Sequence, residues 1–214
     1  MMQVKLCGLT QADQIIEADQ LGISYLGLIF HPKSPRYVAS KLNPEELTAK
    51  PMQAKLTGVF VDEPMELMDA AMKRWGLKAL QLHGNESPQV CRLLHSKVEV
   101  IKVISVQATS SSATLQQEVD RYAGVVHKYL FDTQRGDVRG GTGLHFDWSL
   151  LHRVQLAHPF FLSGGINYSD YRTLQSFSHP AWAGIDINSK FELEPGVKNM
   201  TLVEQFVQRV NSKP

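Results

Sequence analysis

The segment Tyr25-Leu26-Gly27-Leu28-Ile29-Phe30 decides the fold. It is nearly continuous in apolar character and lacks the polar alternation of a strand with one wet face. Such a run is expected where both faces are covered, as in parallel sheets flanked by helices. Similar runs predict strands near residues 3–7, 24–30, 55–61, 79–83, 98–104, 127–132, 159–163 and 183–187. Amphipathic patterns predict helices near 11–21, 43–49, 64–75, 86–95, 112–123, 147–153, 169–177 and 200–210. Thr10, Ser87 followed by Pro88, Asp147 and Ser169 are the caps expected at helix starts.

Eight strand–helix units can form an open doubly wound sheet or a closed barrel. Eight is the number that closes a (β/α)8 TIM barrel. The first turn, Cys7-Gly8-Leu9-Thr10, has one glycine and no dinucleotide-binding fingerprint. Residues 1–214 are therefore read as a single α/β barrel domain, without a linker or low-complexity tract. Ser110-Ser111-Ser112 reads as a solvated loop leading into a helix.

Composition narrows the function. The chain's 214 residues suffice for such a barrel, and 43% hydrophobic against 20% charged residues excludes a disordered chain. Lys plus Arg number 22 against 21 Asp plus Glu, so neither nucleic acid nor a membrane surface is the expected partner. A local anion site remains compatible with that balance. No stretch approaches the roughly 18 apolar residues of a membrane span. Met1-Met2-Gln3 leads straight into a strand pattern rather than a signal peptide. Two cysteines, Cys7 and Cys91, do not make a disulfide framework. A cytoplasmic protein with a small-molecule ligand is expected, and in that reducing compartment Cys7 stays a free thiol. With no metal cluster, P-loop or dinucleotide motif in view, neither a metal nor a cofactor is expected. The sequence leaves monomer and homodimer equally open.

In a barrel of this kind the active site lies at the C-terminal ends of the strands. Those ends deliver Cys7, the loop from Phe30 to Arg36, Val61-Asp62, Leu82-His83-Gly84, Asp132, Ser163-Gly164-Gly165 and Asp186-Ile187-Asn188-Ser189. Cys7 and Asp132 would then face each other across one mouth. A thiol and a carboxyl so placed suit a base and an acid moving protons on one small substrate. Cys91, beside Leu93 and Leu94 on an amphipathic pattern, reads as outer-layer packing.

Several of these blocks carry a resemblance. Lys5-Leu6-Cys7-Gly8-Leu9-Thr10, Pro32-Lys33-Ser34-Pro35-Arg36-Tyr37-Val38, Gly58-Val59-Phe60-Val61, Gln81-Leu82-His83-Gly84 and Gly140-Gly141-Thr142-Gly143 are similar to the phosphoribosylanthranilate isomerase family of tryptophan biosynthesis. Ser163-Gly164-Gly165-Ile166 and Pro195-Gly196-Val197-Lys198 extend the resemblance over nearly the whole chain. It implies an Amadori rearrangement of N-(5-phosphoribosyl)anthranilate to 1-(2-carboxyphenylamino)-1-deoxyribulose 5-phosphate. It further implies Cys7 as general base and Asp132 as general acid.

These roles set conditions. Cys7 needs a lowered pKa or a proton acceptor, and Lys5 helps if strand alternation aims it at the mouth. Asp132 must instead carry a proton near neutrality, which partial burial and a nearby substrate phosphate favour. Arg36 offers a planar fork for the anthranilate carboxylate on a loop stiffened by Pro32 and Pro35. His83 is a substrate-binding candidate. Gly164, Gly165, Asn188 and Ser189 form the expected phosphate site, a device common to phosphosugar barrels. Where the family pattern has glycine after Ser189, this chain has Lys190, which either adds charge there or removes a conformation glycine would allow. Gly140-Gly141-Thr142-Gly143 reads as a mobile loop that closes over substrate.

Two rivals stand beside this reading. One is the related aminoaldose isomerase of histidine biosynthesis, which uses two carboxylates. The other is a barrel that binds a phosphorylated metabolite without turning it over.

Overall fold

The computed structural model describes residues 2–48, 51–133 and 146–212. The expected closing loop at Gly140–Gly143 lies outside these residues.

Eight parallel strands close on themselves in sequence order. They are β1 (Gln3–Leu6), β2 (Tyr25–Ile29), β3 (Lys55–Phe60), β4 (Ala79–Leu82), β5 (Glu99–Val106), β6 (Lys128–Thr133), β7 (Phe160–Leu162) and β8 (Trp182–Ile187). The seam is made by β1 against β8, with Lys5 opposite Asp186 and Leu6 opposite Ile187. On the outside lie α1 (Ala12–Gln20), α2 (Glu45–Thr48), α3 (Met65–Trp75), α4 (Pro88–His95), α5 (Ser112–Arg121), α6 (Tyr171–Ser176) and α7 (Met200–Asn211). An antiparallel hairpin of β9 (Glu192–Glu194) and β10 (Val197–Lys198) follows β8, turning at Pro195-Gly196, and has no counterpart in the predicted elements.

The strands bury both faces, which explains their continuous apolar runs. Outward residues such as Leu26, Leu28, Leu80, Leu82 and Phe131 pack with buried helix residues including Ile15, Met68, Leu94 and Phe206. Cys91 belongs to this outer layer and is fully buried. A smaller cluster of Tyr25, Ala79, Ile101, Val103, Leu130 and Phe161 fills the barrel interior. Two residues farther along their strands come Gly27, Gln81, Asp132 and Ser163. The step of two that puts an apolar plug at the bottom therefore puts polar groups at the top.

Local expectations needed five corrections. Thr10 does not cap α1: Gln11 holds that position without a side-chain bond, and the Thr10 hydroxyl instead donates to the Gly196 carbonyl at 2.8 Å. Ser169 is not a cap either, because Asn167 Oδ1 accepts from the Ser169 N–H at 2.9 Å. The predicted helix at 147–153 is a 3₁₀ segment, Trp148–Arg153, and that at 169–177 is a 3₁₀ turn followed by the short α6. The one at 43–49 shrinks to the four residues of α2. Ser87 and Asp147 do cap, accepting from Val90 and Ser149 respectively. Ser111 caps α5 through a reciprocal pairing with Thr114, so the serine run ends as a helix start.

Candidate active site

At the C-terminal ends of the strands lies a cavity of about 270 Å³, lined by Cys7, Gln81, His83, Asp132, Ser163, Asp186 and Lys190 among others. Of the residues expected at the site, Gly164, Gly165, Asn188 and Ser189 also face it. Cys7 and Asp132, which follow or end strands three places apart around the barrel, thus border one space.

Cys7 sits on a floor of charge. Lys5 shares its inward side because Cys7 continues the line of β1 two residues farther on. Gly27 on β2 leaves the room: a Cβ there would lie 2.9 Å from Cys7 Sγ and 3.1 Å from Lys5 Nζ. Lys5 is fully buried and donates to Asp186 Oδ1 at 2.8 Å, while the Ser163 hydroxyl donates to Asp186 Oδ2 at 3.1 Å. Burial opposes the Lys5 charge, yet Asp186 and then Cys7 hold its pKa above the ordinary value. The Cys7 thiol is pushed up by its own burial, against the pull of the Lys5 ammonium and, more weakly, of Lys198. Of the two conditions set for Cys7, a lowered pKa is not met, because desolvation outweighs both lysines. Lys5 does point inward, as the helpful orientation required.

Asp132 has a different setting. His83 Nε2 stands 3.4 Å from its Oδ2, and the pair is only partly buried. The loop carrying His83 is fixed from behind by Glu86. One Glu86 oxygen accepts from the Asp62 and Gly84 N–H groups, both at 3.0 Å, and the other pairs with buried Lys102 at 3.1 Å.

Arg36 is the residue the cavity does not hold directly. Its Cδ packs where a Cβ on Gly8 would stand, beside Cys7, but its guanidinium is engaged by Glu192. Nε donates to Oε1 at 2.8 Å and Nη2 to Oε2. Glu192 also accepts from Lys198 Nζ at 2.8 Å and from the Gly196 N–H at 3.1 Å. Burial works against the Glu192 charge, but Arg36 and Lys198 hold its pKa below the usual carboxylate range. Two cations thus share one carboxylate, leaving a positive excess next to the cavity. The side edge of the Arg36 fork is taken. Among the described residues nothing hydrogen-bonds to Nη1, so the terminal Nη1/Nη2 edge keeps capacity for a carboxylate.

At the opposite margin Gly164 and Gly165 have φ of +97° and +82°. A Cβ on Gly164 would collide with Thr133, so the turn needs glycine there. After β8, Ser189–Phe191 forms a single 3₁₀ turn with Lys190 on the cavity. Lys190 does not have a positive φ, so the glycine of the family pattern is not needed for this backbone. Asn188 has its Oδ1 occupied by Lys198 Nζ at 2.8 Å, which leaves its amide N–H groups for an anion.

Sequence reading passed over Asp186 as the partner of Lys5 and Ser163 as the partner of Asp186, gave Gln81 and Lys198 no role beyond their motif blocks, and missed Glu192 altogether. Lys5 and Gln81 were recoverable from the alternation that places Cys7 and His83. The β9–β10 residues were signalled only by the Pro195-Gly196 turn. Among the described residues, no three His, Cys, Asp or Glu side chains are grouped to hold a metal ion. No described helix is long and apolar enough to cross a membrane.

Known proteins resemble this chain over nearly its whole length. Residues 4–209 match the family model of N-(5'-phosphoribosyl)anthranilate (PRA) isomerase. An N-(5'-phosphoribosyl)anthranilate isomerase of Parabacteroides distasonis is 37% identical over 211 residues, covering 98% of this chain and 93% of that one. One from Phocaeicola vulgatus is 38% identical, covering 99% of each chain. A crystal structure of a phosphoribosyl anthranilate isomerase in complex with reduced 1-(o-carboxyphenylamino)-1-deoxyribulose 5-phosphate superposes with a TM-score of 0.78. It has 28% identity and covers 98% of both chains.

Proposed function

This chain belongs to the N-(5'-phosphoribosyl)anthranilate isomerase family, and from that membership and its cavity we propose that Cys7 and Asp132 carry out the Amadori rearrangement of N-(5-phosphoribosyl)anthranilate. The observation that carries the reading is the single cavity bordered by both residues, with a turn of two positive-φ glycines on its rim.

The substrate phosphate is held by the backbone of Gly164-Gly165 and the turn from Asn188 to Lys190, where the Lys190 ammonium adds charge. The carboxylate of the anthranilate ring takes the terminal edge of Arg36, which Glu192 holds from the side. Asp132 gives its proton to the furanose oxygen. The C1–O bond breaks with its electron pair going to that oxygen, and the nitrogen lone pair forms the C1=N double bond. Cys7, as thiolate, then removes the C2 proton, and those electrons form the enolamine, which tautomerises to the aminoketose. A thiol whose pKa is raised gives a scarce thiolate that is a strong base, and the Lys5 ammonium stabilises it as it forms. Nothing in this sequence of steps requires a cofactor. The free thiol it relies on suits a reducing cytoplasm.

Purified protein should consume N-(5-phosphoribosyl)anthranilate, followed by the loss of its fluorescence. Turnover of only the imidazole-containing aminoaldose of histidine biosynthesis would replace this reading with that rival. Tight binding without turnover of either would favour the binding-only barrel.

A further inference from the structure

Gln81 is a cavity-lining amide that the chemistry above does not use. It is 2% exposed, and its Nε2 lies 3.3 Å from His83 Nδ1. Its Oε1 is buried and has no hydrogen-bond partner among the described residues. On the far side of the same imidazole, Nε2 faces Asp132 Oδ2 at 3.4 Å. Three side chains from β4, its following loop and β6 therefore stand in line.

The chemistry of the three groups orders them. A side-chain NH₂ can only donate, so His83 Nδ1 must accept, and the neutral ring carries its proton on Nε2. An imidazolium would direct a second N–H at the Gln81 NH₂, setting two donors face to face. A ring in this tautomer presents Asp132 with an N–H and not with a full positive charge. Nε2 stands beside Oδ2 alone, at 3.4 Å. Asp132 Oδ1 has no hydrogen-bond partner among the described residues, which leaves it to carry a proton toward the cavity.

We propose that Gln81 is a positioning residue: it holds His83 as the neutral Nε2–H tautomer and so keeps Asp132 available as the proton donor. This rests on the isomerase reading, and it adds a residue that touches neither Asp132 nor the reacting atoms.

The test is a double-mutant cycle with Gln81→Glu and His83→Asn, read as kcat and KM for N-(5-phosphoribosyl)anthranilate. The isosteric Gln81→Glu carboxylate accepts from Nδ1–H and favours the imidazolium. It should lower kcat at least about 10-fold while KM changes less than about 3-fold. In the His83→Asn background the same substitution should change kcat less than about 2-fold, because its intermediary is gone. Equal losses in both backgrounds, an unchanged kcat, or an effect confined to KM would each overturn the proposal. Gln81→Met run through the same cycle decides the question should Gln81→Glu fail to fold. Wild-type turnover, measured alongside, reports separately on the isomerase reading.

Discussion

Lys5 Nζ and Asp186 Oδ1 meet at 2.8 Å beside Cys7, although 181 residues separate them in the chain. The pair is the floor on which the thiol stands. Because both partners are buried, neither is replaceable alone. Lys5→Met leaves Asp186 as an uncompensated buried charge and should cost about 3–5 kcal/mol in thermal or denaturant unfolding. A loss below about 1 kcal/mol would show that the pair is hydrated and not a buried floor.

The thiol itself offers a second measurement. Cys7 is 4% exposed and its pKa lies above the ordinary value, and Cys91 is buried with a pKa near 11. Both should resist iodoacetamide at neutral pH in the folded protein and react readily in denaturant, as read by mass spectrometry. Fast selective labelling of Cys7 would mean that the lysines win over desolvation.

Arg36 makes two demands that lysine cannot meet together: a side edge for Glu192 and an end edge for substrate. Arg36→Lys should raise KM at least about 10-fold with kcat within a few-fold. An unchanged KM would remove Arg36 from the substrate site.

Much of this was legible in advance, for a definite reason. Each strand of a barrel buries both faces, so runs such as Tyr25–Phe30 stand out in one dimension, and strand ends mark the catalytic rim. The short helical pieces were less legible, since a six-residue 3₁₀ segment like Trp148–Arg153 has few local bonds of its own and takes its form from what it packs against. Hidden most completely were pairs such as Lys5 with Asp186 and Arg36 with Glu192, separated by 181 and 156 residues. Their proximity exists only after the barrel closes between β1 and β8.

At the opposite end of the barrel, Glu99 accepts from Tyr25, Lys55 and Lys128. Burial alone would raise its pKa, but these donors, Lys128 foremost, hold it at about 2 against an ordinary 4.5. A depressed carboxylate pKa stabilises the fold above the unfolded value and loses that contribution as pH falls toward the folded one. Glu99→Gln should therefore reduce stability at pH 7 by on the order of 2 kcal/mol, after allowing for screening. The gap from wild type should shrink as pH drops from 4.5 toward 2. A gap independent of pH across that window would contradict the assignment.

The joint role of the two rim residues is settled by steady-state fluorescence turnover of N-(5-phosphoribosyl)anthranilate with wild type, Cys7→Ser and Asp132→Asn, each checked for folding by circular dichroism. The expected result is turnover by the wild type and a loss of at least about 100-fold in kcat for each variant. Folded variants that both keep wild-type kcat would contradict it.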